Sequence, residues 1–179
     1  MTSIIKADNI STVSGSGSIT IPTGVKLIGT DAASIAAPGH VIQVSHTKVA
    51  DSTDTTAQYP TTVDLGSAVS FTPKFANSKL LVTTSGNLKM NNGADGVFVG
   101  LKRDGSFVDF GATQNAAMFI YESGTNQNHH QSCSSSVLIN ANAASATSFQ
   151  FVFCRYGGAG LAQVGNWHGI HLTIQEIAQ

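Results

Sequence analysis

Hydrophobic and polar positions alternate with a period of two along several short segments in the C-terminal part of the chain. Phe149, Phe151 and Phe153 form the clearest case, with smaller or more polar residues between them. Successive side chains of a β-strand point to opposite faces, so the three rings share one face. The segment therefore predicts a central strand whose aromatic face lies in a hydrophobic core.

The same alternation predicts further strands in this part of the chain. They cover residues 79–85, 97–102, 137–139 and 170–175. In the second of these, Val97, Val99 and Leu101 share one face. It is followed by Asp104-Gly105, and an Asp-Gly pair between apolar runs predicts a tight hairpin because both positions favour a positive φ.

The first 50 residues have a different pattern. Apolar pieces of about three to five residues are separated by Gly, Pro and Ser, and no spacing typical of a helix is present. The first aromatic residue is Tyr59, so the N-terminal segment has no large ring from which to build a core. We expect its aliphatic side chains to find burial against other chains, which makes it an anchoring and oligomerisation arm. The candidate anchoring residues are Ile4, Ile5, Ile10, Ile19, Ile21 and Ile28.

Composition supports a β-rich fold after this arm. Charged residues make up 11% of the chain, against roughly 25% in an ordinary soluble domain. Good helix formers are scarce, whereas Ser, Thr, Val and Phe are plentiful. We predict an all-β protein, an antiparallel β-sandwich of jelly-roll-like form preceded by an extended N-terminal β-rich arm or stalk. The arm covers residues 1–50 and the head domain residues 51–179, with the polar run 48–56 as a loop or linker.

Charge and hydropathy restrict the partners that the chain is expected to have. The net charge of −1 argues against nucleic-acid binding, which needs clustered Lys and Arg. No run of about 18 apolar residues is present, so membrane insertion is not expected. The first residues lack the features of a signal peptide, which favours synthesis in a cytoplasm. A surface with so few charges suits a chain that is buried in a larger assembly.

Residues that carry catalytic or metal chemistry show no recognisable arrangement. His168 and His171 are three apart, which puts them on opposite faces of a strand unless His168 lies in a loop. A carboxylate pair for glycoside hydrolysis would combine Glu122 with Asp104 or Asp109, but their spacing fixes no distance. We therefore expect no enzymatic activity, no metal site and no cofactor.

The chain has only two cysteines, and they are well separated in the sequence. Cys133 and Cys154 are too few for a disulfide framework, and no nearby ligands indicate zinc. The sequence therefore favours buried free thiols.

Residues suited to binding a sugar are better represented than residues arranged for catalysis or metal binding. Aromatic rings that can stack on sugar C–H surfaces occur with Asn and His side chains that can bind hydroxyls, on segments predicted to be loops. The candidate receptor-contact residues are Tyr121, Asn126, Asn128, His129, His130 and Trp167. Two simpler interpretations stay open: Trp167 as a partly buried core residue, and His129-His130 as exposed loop histidines.

Several short motifs resemble the N-terminal part and the first body strands of tailed-bacteriophage virion proteins. They are residues 6–11 (KADNIS), 15–24 (GSGSITIPTG), 29–31 (GTD), 37–39 (APG) and 71–82 (FTPKFANSKLLV). The first four motifs lead into residues 41–44 (VIQV), so the resemblance extends over residues 6–44 and 71–82, about a third of the chain. It implies a virion appendage, a fibre, spike or head-decoration protein, with a trimeric jelly-roll head.

Three functions follow as hypotheses. The first is a homotrimeric, fibre-like appendage of a tailed phage, which its N-terminal segment anchors to capsid, tail or adaptor proteins and whose head contacts a host-surface glycan. The second is a capsid decoration protein that cements neighbouring shell subunits. The third is a stand-alone glycan-binding module. The first two place the protein in the virion after synthesis in the host cytoplasm.

Overall fold

A computed structural model of the chain describes residues 38–91, 96–122 and 129–179. Nearly all regular structure in these residues is β-strand, with one 3-10 turn at Thr113–Asn115. The strands in chain order are β1 (Val41–Ala50), β2 (Thr53–Thr55), β3 (Val63–Phe71), β4 (Lys79–Asn91), β5 (Gly96–Arg103), β6 (Ser106–Phe107), β7 (Ala116–Tyr121), β8 (His129–Asn140), β9 (Thr147–Arg155), β10 (Leu161–Val164) and β11 (Ile170–Ile177). None of the described residues belongs to a helix long and apolar enough to span a membrane.

The first sheet is organised around β4. This strand pairs along its length with β8 on one side, and with β11 and then β10 on the other. In turn β1 pairs with β11, and β2 pairs with β10. Because β1 and β2 lie end to end, as do β10 and β11, the sheet has four rows. Their order is β8, β4, β10 with β11, and β1 with β2.

The second sheet is organised around β9 and β5. Strand β9 lies between β3 and β5, and the far side of β5 pairs first with β7 and then with β6. When the eight rows are numbered along the chain, the first sheet has the order sixth, third, eighth, first. The second sheet has the order second, seventh, fourth, fifth. This antiparallel arrangement is that of a jelly roll, a sandwich built from two Greek keys. The predicted all-β, jelly-roll-like sandwich is confirmed.

The core lies between the two sheets and uses the predicted strand faces. Phe149, Phe151 and Phe153 of β9 are fully buried, as are Ile170 and Ile174 of β11. Burying each such side chain contributes about 1.5–3 kcal/mol relative to exposure. The aromatic-rich face of the central strand is therefore the main apolar component of the core.

The predicted hairpin is present between β5 and β6. Asp104 has a φ of 49° and Gly105 a φ of 85°, the left-handed backbone that a tight two-residue hairpin turn requires. Strand pairing of Lys102 with Phe107 and of Arg103 with Ser106 closes the hairpin.

The prediction of a loop at residues 48–56 is wrong. Strand β1 continues to Ala50, and β2 follows almost at once. The pattern was misleading because residues of β1 on the core side include Ser45 and Thr47, so the strand lacks apolar alternation. The sandwich includes β1 and therefore begins before residue 51, where the sequence placed the start of the head. The candidate anchoring residues Ile4, Ile5, Ile10, Ile19, Ile21 and Ile28 lie outside the described residues.

A buried carboxylate fastens the loop between β3 and β4 to the last strand. Glu176 of β11 is 0% exposed. It accepts hydrogen bonds from the backbone N–H groups of Lys74 (2.8 Å) and Phe75 (3.0 Å), from the Ser78 hydroxyl (2.7 Å) and from Gln43 Nε2 (2.6 Å). Burial alone raises the pKa of Glu176, but these hydrogen bonds together outweigh it and hold the pKa below its usual value. The charge is therefore retained inside the protein.

Candidate functional site

The outer face of the second sheet, the side away from the core, is aromatic. Phe98 points to this side because Val97 and Val99 face the core. Phe107 and Phe119 are each 40% exposed here, although residues of this type are usually buried. This surface is called the aromatic face, and its members are Tyr59, Phe98, Phe107, Phe119, Tyr121 and Tyr156.

The exposed rings of the aromatic face form a cleft of about 550 Å³. The rings of Phe119 and Tyr121 are nearly parallel, with centroids 6.4 Å apart. The Tyr156 ring stands almost perpendicular to both, at 5.2 Å and 6.0 Å. Two alanines complete the lining together with Gln114, whose amide lies 3.2 Å from the Tyr156 hydroxyl. The described lining contains no charged side chain, so the cleft is suited to an apolar partner.

A second depression lies on the outer face of the first sheet. It has a volume of about 310 Å³ and a lining of small hydroxyl side chains and two imidazoles. It is called the serine–histidine trough, and it is lined by Ser85, Gly86, Ser132, Cys133, Ser134, His168 and His171.

Strand pairing explains why a depression forms there. Ser85 of β4 pairs with His171 of β11 on one side and with Ser134 of β8 on the other. Ser85 has a very small side chain on the outer face, so the surface over the central strand lies lower than over its neighbours.

A stacked aromatic pair stands beside the trough. His130, Ser132 and Ser134 are alternate residues of β8 and share the outer face. The His130 ring stacks on the indole of Trp167, with parallel planes and centroids 4.4 Å apart. Burial lowers the pKa of His130, with a further contribution from the positive charge of Lys89 and from His129. The imidazole is therefore neutral near pH 7, and the Trp167 indole that stacks on it is 66% exposed.

Hydrogen bonding leaves unused donors and acceptors in the trough. His171 Nε2 lies 2.6 Å from the carbonyl oxygen of His168, so this nitrogen carries the ring proton. The Ser134 hydroxyl donates to the backbone oxygen of Thr84. The hydroxyls of Ser85 and Ser132 make no hydrogen bond to any other described residue, which leaves them available to a ligand.

The structure separates the candidate receptor-contact residues into two groups. Tyr121 lies on the aromatic face, whereas His130 and Trp167 lie beside the trough on the other sheet. His129 Nδ1 is 3.3 Å from a carboxylate oxygen of Glu122. The remaining candidates, Asn126 and Asn128, lie outside the described residues.

Two of the simpler interpretations are wrong. His129 and His130 are not loop residues, because both belong to β8 and pair with Met90 and Lys89 of β4. Trp167 is not a core residue, since two thirds of its surface is exposed. Only residues 137–139 of β8 were predicted as a strand, because polar residues precede it and its first part is rich in Ser instead of the β-branched and aromatic residues that favour strands.

The histidines considered as metal ligands and the carboxylates considered for glycoside hydrolysis have local structural contacts. His168 precedes β11, so it lines the same trough as His171 despite the odd spacing. Asp104 accepts hydrogen bonds from Thr147 Oγ1 (2.5 Å) and Ser148 N (2.8 Å), and Asp109 accepts one from the Gly111 N–H (2.7 Å). Within residues 38–91, 96–122 and 129–179, no group of three or more potential metal ligands is found.

Both cysteines are free thiols. Cys154 is fully buried on β9, and burial raises its pKa to about 11. Cys133 is partly buried, and burial also raises its pKa. Neither thiol is activated as a nucleophile, because raising the pKa reduces the thiolate fraction.

Sequence reasoning did not identify the two surfaces themselves. The aromatic face had one signal, because residues 97–99 (VFV) are apolar on both sides of the strand, which indicates that both faces are covered. The trough had no comparable signal. It depends on the pairing of β4 with both β8 and β11, which residue spacing along the chain does not determine.

The solved structures that match this chain include structures of infectious bursal disease virus. The VP2 subviral particle of infectious bursal disease virus matches with 13% identity and a TM-score of 0.38, over 87% of this chain and 42% of that chain. The structure of the Gt strain of the same virus matches with 16% identity and a TM-score of 0.37, over 87% and 43%. This chain thus spans about two fifths of the length of those proteins. No protein-family model and no curated sequence matches it.

Proposed function

We propose that this protein is a non-enzymatic structural subunit of a virus particle, a homotrimeric, fibre-like appendage of a tailed phage. In this proposal the segment before β1 anchors the chain to other virion proteins, and the jelly-roll head contacts the host surface. The observation that carries the proposal is the aromatic face, a large apolar surface that a solitary head would leave in water.

The aromatic face favours association of identical subunits. Exposed contiguous apolar surface in a folded protein commonly marks an interaction site. Obligate homo-oligomer interfaces are the most apolar class and are enriched in Tyr and Phe. Closed symmetry gives every copy the same buried surface. The choice of a trimer rests on the resemblance of residues 6–44 and 71–82 to phage virion proteins.

The jelly-roll topology is compatible with this role. The same architecture builds viral capsid domains and lectin domains. It provides two broad outer faces, of which one can be buried between subunits while the other stays accessible. In this protein the aromatic face has the composition of a buried interface, and the polar face with the trough has the composition of an accessible one.

The test is the mass of the purified chain in solution and its position on the particle. Sedimentation equilibrium should give three times the chain mass, and labelled antibody should mark an appendage that projects from the virion. A monomer at micromolar concentration would contradict the trimer. Label distributed over the capsid shell would support the decoration role instead, and that role also predicts that the protein raises the temperature of capsid disruption.

A further inference from the structure

The chemistry of the serine–histidine trough selects a particular kind of ligand. The described residues that line it have hydroxyl and imidazole groups and no carboxylate, ammonium or guanidinium group. A charged ligand would lose its hydration there without gaining an opposite charge. Hydroxyls can both donate and accept hydrogen bonds, and those of Ser85 and Ser132 make none with any other described residue. The trough is therefore matched to a neutral ligand that carries many hydroxyl groups.

Trp167 adds an apolar surface at one end of this polar strip. Its indole is exposed but is held by parallel stacking on His130, and His130 is two residues from Ser132 on the same strand face. A fixed aromatic plane loses little conformational entropy when a ligand binds. A saccharide ring has this combination of properties, an apolar C–H surface and a rim of hydroxyl groups.

The aromatic cleft of the second sheet is a poorer match for a sugar. Alanines and rings dominate its lining, and its Gln114 amide already lies within hydrogen-bonding distance of Tyr156. Besides that amide the described lining offers only the hydroxyls of Tyr121 and Tyr156, so several hydroxyls of a sugar placed there would lose water without replacement partners. The trough, with the unused hydroxyls of Ser85 and Ser132, does not impose that cost.

We propose that the serine–histidine trough and the adjacent Trp167 bind a neutral saccharide. The trough volume of about 310 Å³ is at the lower end of the usual range for small-molecule sites, about 300–1,000 Å³, which suits one or two sugar units. The inference rests on the proposed host contact and identifies its ligand class and its location.

The experiment uses the purified full-length chain and a panel of immobilised neutral oligosaccharides, followed by calorimetric titration with soluble forms of those that bind. Trp167→Ala removes the aromatic plane, and Ser85→Leu fills the floor of the trough. Each should weaken binding by about tenfold or more, because each removes a stacking or hydrogen-bonding contact. Ser136→Leu is the matched control, since it adds the same bulk to the outer face of β8 outside the trough.

The outcomes separate this inference from the proposed function. Selective loss of binding in the trough variants, with unchanged thermal unfolding, supports a saccharide site. Binding of no neutral oligosaccharide by the wild-type chain, or equal binding by all variants, overturns it. Sedimentation of the same samples reports on assembly separately: a trimer that binds no sugar contradicts this inference alone, and a monomer that binds through the trough contradicts only the trimeric role.

Discussion

The buried carboxylate of Glu176 determines how one loop is held on the sandwich. Its hydrogen bonds join the loop of Lys74, Phe75 and Ser78 to β11, and Gln43 adds a contact from β1. Three separate parts of the chain thus converge on one charge. Loss of that charge should affect all of them together, because a buried donor without an acceptor costs about 1–3 kcal/mol.

Glu176→Gln should lower the free energy of unfolding at pH 7 by about 3 kcal/mol. The wild-type protein should also lose stability as pH falls below the ordinary pKa of a glutamate and through the lower pKa that Glu176 has in the folded state, because protonation then favours the unfolded chain. Urea unfolding at a series of pH values measures both effects. The exposed Glu122→Gln is the control and should change stability little. Equal acid sensitivity of Glu176→Gln and wild type would show that another group is responsible.

At the scale of the strand, residue patterns predicted the elements whose partners are apolar. Strands β9 and β11 alternate in the sequence because one face of each lies in the core, whereas β5 is apolar and buried on both faces. The β5–β6 turn followed from Asp104-Gly105 because its requirement is local. Strand β1 was not predicted to its full length, since its pairing with β11 depends on backbone groups and not on apolar side chains. Long-range pairing likewise decides which strands are neighbours, so the trough could not be predicted.

Two glycines with a positive φ, one in the β5–β6 turn and one in β3, can be replaced by alanine to compare the cost of backbone strain with and without a steric overlap. Gly105→Ala should lower stability by about 1 kcal/mol, because φ is 85° but no atom lies near the added Cβ. Gly66→Ala should cost about 1–3 kcal/mol more, since its Cβ would overlap the backbone oxygen of Val49 as well. Thermal unfolding of the two variants gives the comparison. Equal losses would mean that β3 moves away from β1 without cost.

Strand β1 also determines where the N-terminal segment can be removed. A chain of residues 38–179 should unfold at the temperature of the full-length protein, because it retains β1. A chain of residues 51–179 should lose cooperative unfolding, since it lacks the strand that pairs with β11 from Val41 to Ala50. Near-ultraviolet circular dichroism during heating distinguishes the two. If only the longer fragment folds and it fails to join the particle, the anchor lies before residue 38.

At the scale of the whole molecule, the two outer faces are suited to different roles, one to subunit association and the other to ligand binding. The aromatic face consists mostly of ring surface with a few tyrosine hydroxyls and is suited to a constant partner, such as a second copy of the chain. The face with the trough has unused hydroxyls and an exposed indole, which suits a ligand that binds and leaves. A jelly roll can support both because its sheets place these surfaces on opposite sides of one core.

A charge placed on the aromatic face should therefore prevent assembly without unfolding the head. Phe119→Asp puts a carboxylate on a side chain that is 40% exposed in the single chain and, in the proposed trimer, surrounded by rings. A buried unpaired charge costs about 3–5 kcal/mol, which reduces association about a hundredfold or more. Leu138→Asp is the control, since Leu138 is 55% exposed on β8, on the outer face of the first sheet and away from the aromatic face. Light scattering after size exclusion should give a monomer for the first variant and an unchanged mass for the second, with similar unfolding temperatures. A Phe119→Asp protein that keeps its mass would place the subunit interface elsewhere.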